Sequence, residues 1–303
     1  MARRARRDAL RCRVPKQEQT GVVAAIVSSA LGGSAAAITR YAIGASDPPT
    51  LAAFRFGVAF LVVLPLALAM RAKWPSARDW PGVAALGVLF FSLFFVIYNV
   101  ALSYTTAARG SLALSILPLS TMLVAALLGR ESLTRRKTLG VLIAMLGVAA
   151  ALGTGLADAP PGAWRGDVTM AAATLSMALY NVWSRPLMQR SSRMGFLAGG
   201  MGFGAAASIA LAAWSGGLAA TLEFSRAQWI AAIALGLFGG AAAFYLWVYA
   251  LERTTPTRVA NTMTVNPIAA SLLGAVLVGE ALSASLLVGV LAVGFGIWLA
   301  STE

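Results

Sequence analysis

Long apolar runs alternate with short polar breaks along almost the whole chain. Each run is about as long as the ~20 residues that a helix needs to cross the ~30 Å hydrocarbon core of a bilayer. The predicted spans cover residues 21–44, 50–70, 80–103, 107–129, 136–155, 166–187, 194–215, 228–250, 256–278 and 283–301. The pattern therefore predicts an all-α polytopic membrane protein with ten transmembrane helices.

The composition agrees with this fold class. Hydrophobic residues make up 59% of the 303 residues and charged residues only 12%. Ten spans of this length leave room for short loops only. We therefore predict no large soluble domain.

The second half of the chain repeats the first half when the sequence is displaced by 149 positions. Without a gap, Pro118 falls on Pro267 and Glu131 falls on Glu280. A shared bias toward Ala, Leu and Gly explains such agreement poorly. We therefore predict an internal duplication of a five-helix unit.

The duplication divides the chain into four segments. Residues 1–20 are predicted to be a basic cytoplasmic tail, and residues 21–155 the first repeat with helices one to five. Residues 156–165 are predicted to be an extracytoplasmic linker. Residues 166–301 then form the second repeat with helices six to ten.

The distribution of Lys and Arg predicts the orientation of the helices. In a soluble protein, the net charge of +13 would suggest a nucleic-acid partner. Here nineteen Lys and Arg residues fall in the tail and in the loops that a cytoplasmic N-terminus places inside, against Arg165 and Arg226 in the outer loops. We therefore predict a bacterial-type inner (plasma) membrane protein with both termini in the cytoplasm, the lipid bilayer as a partner and no nucleic acid.

Each repeat has an odd number of spans, so the second repeat is predicted to lie inverted relative to the first. The loops record this difference: residues 128–137 are strongly basic, whereas their counterpart, residues 277–286, has no Lys or Arg. One loop is expected to face the cytoplasm and its copy the outside. Inverted repeats are typical of secondary transporters, whose substrate site lies between the repeats near the middle of the membrane.

The second repeat also carries a recognisable motif. The chain resembles the EamA repeat of the drug/metabolite transporter superfamily through Pro267, Gly274, Gly279, Glu280, Gly289 and Gly296, a weaker copy of that pattern in the first repeat, residues 178–185, and Phe54-Arg55. The resemblance covers about residues 21–301 and is nearest to the YddG-like amino acid exporters. It implies a ten-helix exporter of small metabolites, with helices one to four and six to nine around a central cavity and helices five and ten at the periphery.

The segment before the fourth-span proline bears on the substrate. An exporter selective for aromatic substrates would be expected to carry bulky aromatic side chains there, but this chain has Ser115-Ile116-Leu117. The resemblance therefore supports amino acids or similar solutes better than strictly aromatic ones.

Polar and aromatic residues recur on single faces of several spans. Polar groups are costly inside a bilayer and normally turn inward, so we expect these faces to line the cavity. Aromatic walls with amide and hydroxyl groups suit a small zwitterion; the alternative is that the small polar residues serve helix packing. The predicted substrate-binding residues are Phe94, Tyr98, Asn99, Ser115, Ser176, Tyr180, Trp183, Phe244, Trp247 and Asn266.

Prolines and arginines inside or near the spans are given separate roles. Pro118 and Pro267 each free a backbone carbonyl at mid-span and are predicted hinges or gates. Arg55 and Arg109 are placed near helix ends on the outer side. Arg109 and Arg258, near helix starts, either meet a carboxylate or extend toward the membrane interface, and we favour the interface.

Three functions are compatible with the features of the sequence. The favoured one is a secondary transporter that exports small metabolites, amino acids foremost, by alternating access through a central cavity. A broad drug or cation extruder of the same superfamily is the alternative, although cation selectivity would favour an acidic residue in the cavity. A polytopic membrane enzyme would need a nucleophile with a base, or clustered metal ligands. With no His and a single Cys, Cys12 in the tail, we predict no catalytic residue, metal site or cofactor.

The carboxylates also limit the mechanism. None of the eleven Asp and Glu residues falls in the middle of a predicted span. Proton-coupled carriers usually need such a group inside the membrane. We therefore expect the small-molecule substrate to move down its own gradient, or its transport to be coupled through something other than a buried carboxylate. The protein itself is expected to act as a monomer.

Overall fold

The computed structural model describes residues 16–129, 134–154, 159–281 and 284–301. Most of the basic tail, the start of the linker and the loops around Glu131 and Ser283 lie outside these ranges. All regular structure within them is helical. The helices are α1 (Lys16–Ala42), α2 (Pro48–Ala69), α3 (Trp80–Tyr104), α4 (Ala107–Leu127), α5 (Arg135–Thr154), α6 (Ala163–Arg190), α7 (Arg193–Ser215), α8 (Arg226–Arg253), α9 (256–278) and α10 (Ala284–Ser301).

Seven helical segments of the described chain are long and apolar enough to cross a membrane. They are Gln17–Ala42, Pro48–Ala69, Trp80–Tyr104, Ala107–Leu127, Arg193–Ser215, Arg226–Arg253 and Arg258–Val278. The predicted class, a multi-pass all-α membrane protein, is thereby confirmed. The other three predicted spans coincide with α5, α6 and α10, which are not among the seven.

Side-chain caps and prolines fix where the helices begin. Asp47 accepts a hydrogen bond from the Thr50 amide (3.2 Å), and two prolines occupy the first turn of α2. Thr106 caps α4 by accepting from the Arg109 amide (3.2 Å). Its counterpart in the repeat, Thr255, caps α9 in the same way.

Helices α4 and α9 also end alike. Each is followed by a glycine in the left-handed region, Gly129 with φ 65° and Gly279 with φ 67°. A side chain there would be strained, which is why glycine commonly ends a helix. The same local structure thus begins and ends the corresponding helix of each repeat.

Irregular turns occur at corresponding places in the two halves. Residues Val88–Phe94 of α3 and Leu235–Ala242 of α8 are π-helical. Helix α4 breaks after Leu114, and α9 contains a 3-10 turn at Thr262–Thr264. The mid-span prolines follow these two breaks, because proline fits the first turn of a helix and not its interior.

Small residues bring the helices close together. Helix α1 packs along α9, α2 along α7, α3 along α6, and α5 along α10. A Cβ added at Gly87 of α3 would lie 2.9 Å from the Cα of Gly200 of α7, so these two backbones are in direct contact. Helices α5 and α10 contact mainly each other and reach α4 through a small cluster around Leu112 and Val148.

The contacts between helix ends show which termini lie together. Asp79, just before α3, pairs with Arg190 at the end of α6 (2.8 Å). Glu252 near the end of α8 pairs with Arg193 at the start of α7, and Arg258 of α9 pairs with Glu18 of α1. We call this the α1 end of the bundle. At the opposite end, the α6 end, α6 begins beside the last turn of α3.

Candidate functional site

A central cavity of about 40 Å³ lies between helices of both halves. Its wall comes from α1, α2, α3 and α4 on one side and from α6, α8 and α9 on the other. No lining residue comes from the described parts of α5, α7 or α10. The lining residues are Ser28, Ser29, Gly32, Arg55, Phe94, Phe95, Tyr98, Leu114, Met177, Ala243, Phe244, Trp247, Met263 and Asn266.

Aromatic side chains form the largest part of the wall. The Phe94 and Phe95 rings pack edge to face with centroids 4.7 Å apart, and Phe95 meets Phe244 at 5.6 Å in the same manner. Edge-to-face packing is favourable because the positive rim of one ring faces the negative face of another. Trp247 keeps its indole satisfied by donating to Asn181 Oδ1 (3.1 Å). The wall is therefore apolar, with fixed ring orientations.

The Arg55 side chain is the charged part of the wall, and it is only 2% exposed. Nε and Nη2 both donate to the carbonyl oxygen of Gly239, at 3.2 Å and 2.8 Å. The guanidinium carbon lies 4.3 Å from the Phe95 ring centroid and 5.9 Å from that of Tyr98. A cation over an aromatic face is attracted by the ring quadrupole.

The position of Arg55 differs from its expected place near the outer end of a helix. The π-helical turns of α8 direct the Gly239 carbonyl toward α2, and the aromatic rings of α3 cover the guanidinium. The signal was present in the sequence: a charged residue within an apolar run normally turns to the bundle interior.

Five of the ten predicted binding residues line the cavity: Phe94, Tyr98, Phe244, Trp247 and Asn266. The Asn266 side chain is 3% exposed, and its Oδ1 has no hydrogen-bond partner in the part of the chain that the structure describes. Its Nδ2 lies against Gly32 of α1, where an added Cβ would be 3.1 Å away. The amide oxygen is thus an unpaired acceptor on the cavity wall.

The other five predicted residues lie behind the wall or away from it. Asn99 donates to the Pro48 carbonyl (2.9 Å), and Ser115 donates to the Ser111 carbonyl (3.0 Å). Tyr180 is buried and stacks on Phe90 with ring centroids 4.2 Å apart. Ser176 is half-buried, and Trp183 is 40% exposed.

A second polar cluster lies at the α6 end, outside the cavity. Arg109 Nη2 pairs with Asp167 Oδ2 (2.6 Å) and also donates to the Leu152 carbonyl (2.9 Å). Thr105 donates to the other oxygen of Asp167 (2.9 Å). The expectation that Arg109 extends toward the interface is wrong, because a carboxylate of α6 holds it inside with 6% of the side chain exposed.

Glu280 occupies a related place at the same end. Both of its carboxylate oxygens accept from the amide of Ala107, at 3.0 Å and 3.1 Å, and so cap the start of α4. Among the described residues, no group of three or more His, Cys, Asp or Glu side chains is arranged to hold a metal ion.

Comparison with known proteins identifies the family. The sequence model of the EamA-like transporter family matches the chain twice, at residues 19–153 and 164–302. The chain belongs to the EamA-like transporter family. The two matches correspond to the two halves that share capping threonines, π-helical turns and terminal glycines.

Similar proteins in other organisms carry transporter names. An uncharacterized transporter of Archaeoglobus fulgidus is 25% identical over 88% of this chain and 93% of its own length. A probable terminal-alkyne amino-acid exporter of Streptantibioticus cattleyicolor is 29% identical over 69% of this chain and 71% of its own length. A solved crystal structure with 22% identity shares the fold with a TM-score of 0.68, over 93% of this chain and 96% of that one.

The buried pair at the α6 end generates a stability prediction for this EamA-like protein. Removing one partner of a buried ion pair leaves an uncompensated charge, so Asp167→Ala should cost roughly 3–5 kcal/mol of unfolding free energy. The double variant Arg109→Ala/Asp167→Ala should cost less than the sum of the single variants. Unfolding of the purified protein in detergent measures both.

A partly exposed pair serves as the matched control. Arg253 is 26% exposed and pairs with Glu252, which is 42% exposed and also pairs with Arg193. Glu252→Gln keeps the size of this side chain and should therefore change stability by no more than about 1 kcal/mol. Additive effects of the Arg109 and Asp167 substitutions would contradict a coupled buried pair.

Proposed function

We propose that the protein is a secondary transporter that exports amino acids by alternating access between two inverted five-helix repeats. The observation that carries the proposal is the position of the cavity, whose wall is built from both copies of the EamA repeat. A site between two repeats can be exposed to either side of the membrane when the repeats move relative to each other.

The inversion rests on corresponding contacts at opposite ends of the bundle. Gly166, at the start of α6, packs on Thr105 at the end of α3, with an added Cβ 2.9 Å from the Thr105 Cβ. The first spans of the two repeats align at a displacement of 145 positions, which brings Gly21 onto Gly166 and Arg40 onto Arg185. Gly21 packs on Arg253 and Thr254 at the end of α8. The first contact is at the α6 end and the second at the α1 end, as repeats of opposite orientation require.

The positions of the helices and of the basic loop residues support a topology of ten transmembrane helices. Helices α5, α6 and α10 coincide with predicted spans, and with them each repeat, residues 21–155 and 166–301, has five transmembrane helices. The α1 end carries most of the described basic loop residues, among them Arg71, Lys73 and Arg78. By the positive-inside rule, we place this end, the tail and both termini in the cytoplasm.

We assign one ion pair to each end of the bundle as the gate that closes the cavity on that side. At the α6 end Arg109 of α4 pairs with Asp167 of α6, and at the α1 end Arg258 of α9 pairs with Glu18 of α1. Arg109 and Arg258 are counterparts in the duplication. A cavity of about 40 Å³ is far below the roughly 300–1,000 Å³ of ligand pockets, so a substrate enters only after one gate opens.

Amino acids are the substrate class that the chemistry favours. The wall combines aromatic rings with a guanidinium and an unpaired amide oxygen, and one relative is named a probable amino-acid exporter. A drug or cation extruder is disfavoured because Arg55 repels cations. We assign substrate contact to the five lining residues and hinge roles to Pro118 and Pro267. The other five predicted residues support the wall or become part of it when the cavity opens: Asn99, Ser115, Ser176, Tyr180 and Trp183.

Counterflow tests the proposed activity. Purified protein in liposomes loaded with one unlabelled amino acid should accumulate the same labelled amino acid transiently, for at least one member of a panel of the twenty. Liposomes without protein are the control. Exchange of organic cations without exchange of any amino acid would contradict the proposal.

Cysteine labelling tests the inverted topology. Ala77 precedes Trp80 in the first repeat, and Ala227 precedes its counterpart Trp229 in the second; both alanines are exposed. In a Cys12→Ser background, Ala77→Cys should react with an impermeant thiol reagent only from the cytoplasmic side, and Ala227→Cys only from outside. Labelling of both from the same side would contradict the inversion.

A further inference from the structure

The Arg55 guanidinium lacks a counter-charge. It is 2% exposed, and no carboxylate of the described chain forms an ion pair with it. Carbonyl and ring contacts compensate the charge in part, through Gly239 and Phe95. A cation inside a membrane protein is normally paired or faces a pathway. The charge of Arg55 is therefore only partly compensated by the groups of the described chain.

Arg55 lines the cavity, and part of its guanidinium is left without a hydrogen bond. Nε and Nη2 share one acceptor, the Gly239 oxygen, while Nη1 has no hydrogen-bond partner among the described residues. Arginine presents its five N–H donors in a planar fork that matches the two oxygens of a carboxylate. An anion in the cavity would supply both the missing hydrogen bonds and the missing charge.

The cavity also has an unpaired acceptor of opposite polarity. Asn266 Oδ1 is buried without a partner, and Asn266 lines the same cavity as Arg55. Several buried polar atoms of the described chain lack a partner, but among them only Arg55 Nη1 and Asn266 Oδ1 belong to residues that line the cavity. A ligand that carries both an anionic and a donor group would satisfy the two residues together.

We propose that Arg55 binds the α-carboxylate of the substrate and that Asn266 Oδ1 accepts a hydrogen bond from its α-ammonium group. This inference rests on the proposed function and names how the same site recognises its substrate. The side chain of the amino acid then packs on Phe244, Met177 and Trp247. Because Arg55 carries the charge and Asn266 is neutral, the carboxylate is required and the ammonium group contributes less.

The probes are an amino acid that exchanges in counterflow, its primary amide and the corresponding acid without the amino group. For leucine these are leucinamide and 4-methylpentanoate. The wild type should be stabilised against thermal unfolding by leucine and, more weakly, by 4-methylpentanoate, because binding to the folded state raises the melting temperature. Leucinamide should bind at least tenfold more weakly than leucine.

Two variants separate the two ends of the ligand. Arg55→Gln should abolish stabilisation by both acids. Asn266→Leu should weaken binding of leucine toward that of 4-methylpentanoate and leave 4-methylpentanoate unchanged. Arg55→Lys keeps the charge but loses the fork, so it should fold and bind leucine at least tenfold more weakly. Gly57→Ala on α2, where an added Cβ meets nothing within 4 Å, is the control and should bind as the wild type does.

Equal binding of leucine and leucinamide by the wild type would overturn the assignment of Arg55. Unchanged leucine binding in Arg55→Lys and Arg55→Gln would overturn it as well. If no amino acid exchanges in counterflow, the proposed function fails separately. The carboxylate site is then judged by whether 4-methylpentanoate stabilises the wild type and not Arg55→Gln.

Discussion

A guanidinium in the interior of a membrane protein has to be compensated, and the helices around Arg55 are arranged to do so. The π-helical turns of α8 present the Gly239 carbonyl to Nε and Nη2, and the Phe95 ring of α3 covers the face of the cation. Arg55 thereby joins α2, α3 and α8, which belong to different repeats. These contacts compensate the charge of Arg55 only in part, and Arg55 lines the cavity.

Much of the fold follows from the sequence because membrane helices satisfy their own backbone. The apolar runs locate the spans to within a few residues, and the duplication predicts corresponding caps such as Thr106 and Thr255. The aromatic part of the site is predictable from helix periodicity, because Phe94 and Tyr98 lie four residues apart and therefore on one helix face.

The sequence does not show which neighbour a polar side chain meets. Asn99 and Ser115 lie on inward faces, but the Asn99 amide nitrogen and the Ser115 hydroxyl donate to nearby carbonyl groups. Arg109 is near the start of a helix, where an interface position was expected, and Asp167 from the other repeat draws it inside. Arg109 and Asp167 are 58 residues apart in sequence, so only the packing of the helices brings them together.

The proposed alternating access requires the cavity between the repeats to open in turn to the two sides of the membrane. Ser29 lines the cavity from α1, and a cysteine there is nearly isosteric. In a Cys12→Ser background, the most direct measurement is the rate at which a small impermeant thiol reagent modifies Ser29→Cys from each side of sealed vesicles. Alternating access predicts that the reagent modifies the cysteine from both sides, and that a transported amino acid slows the modification from both sides. Modification from one side only, at a rate that the amino acid does not change, would contradict it.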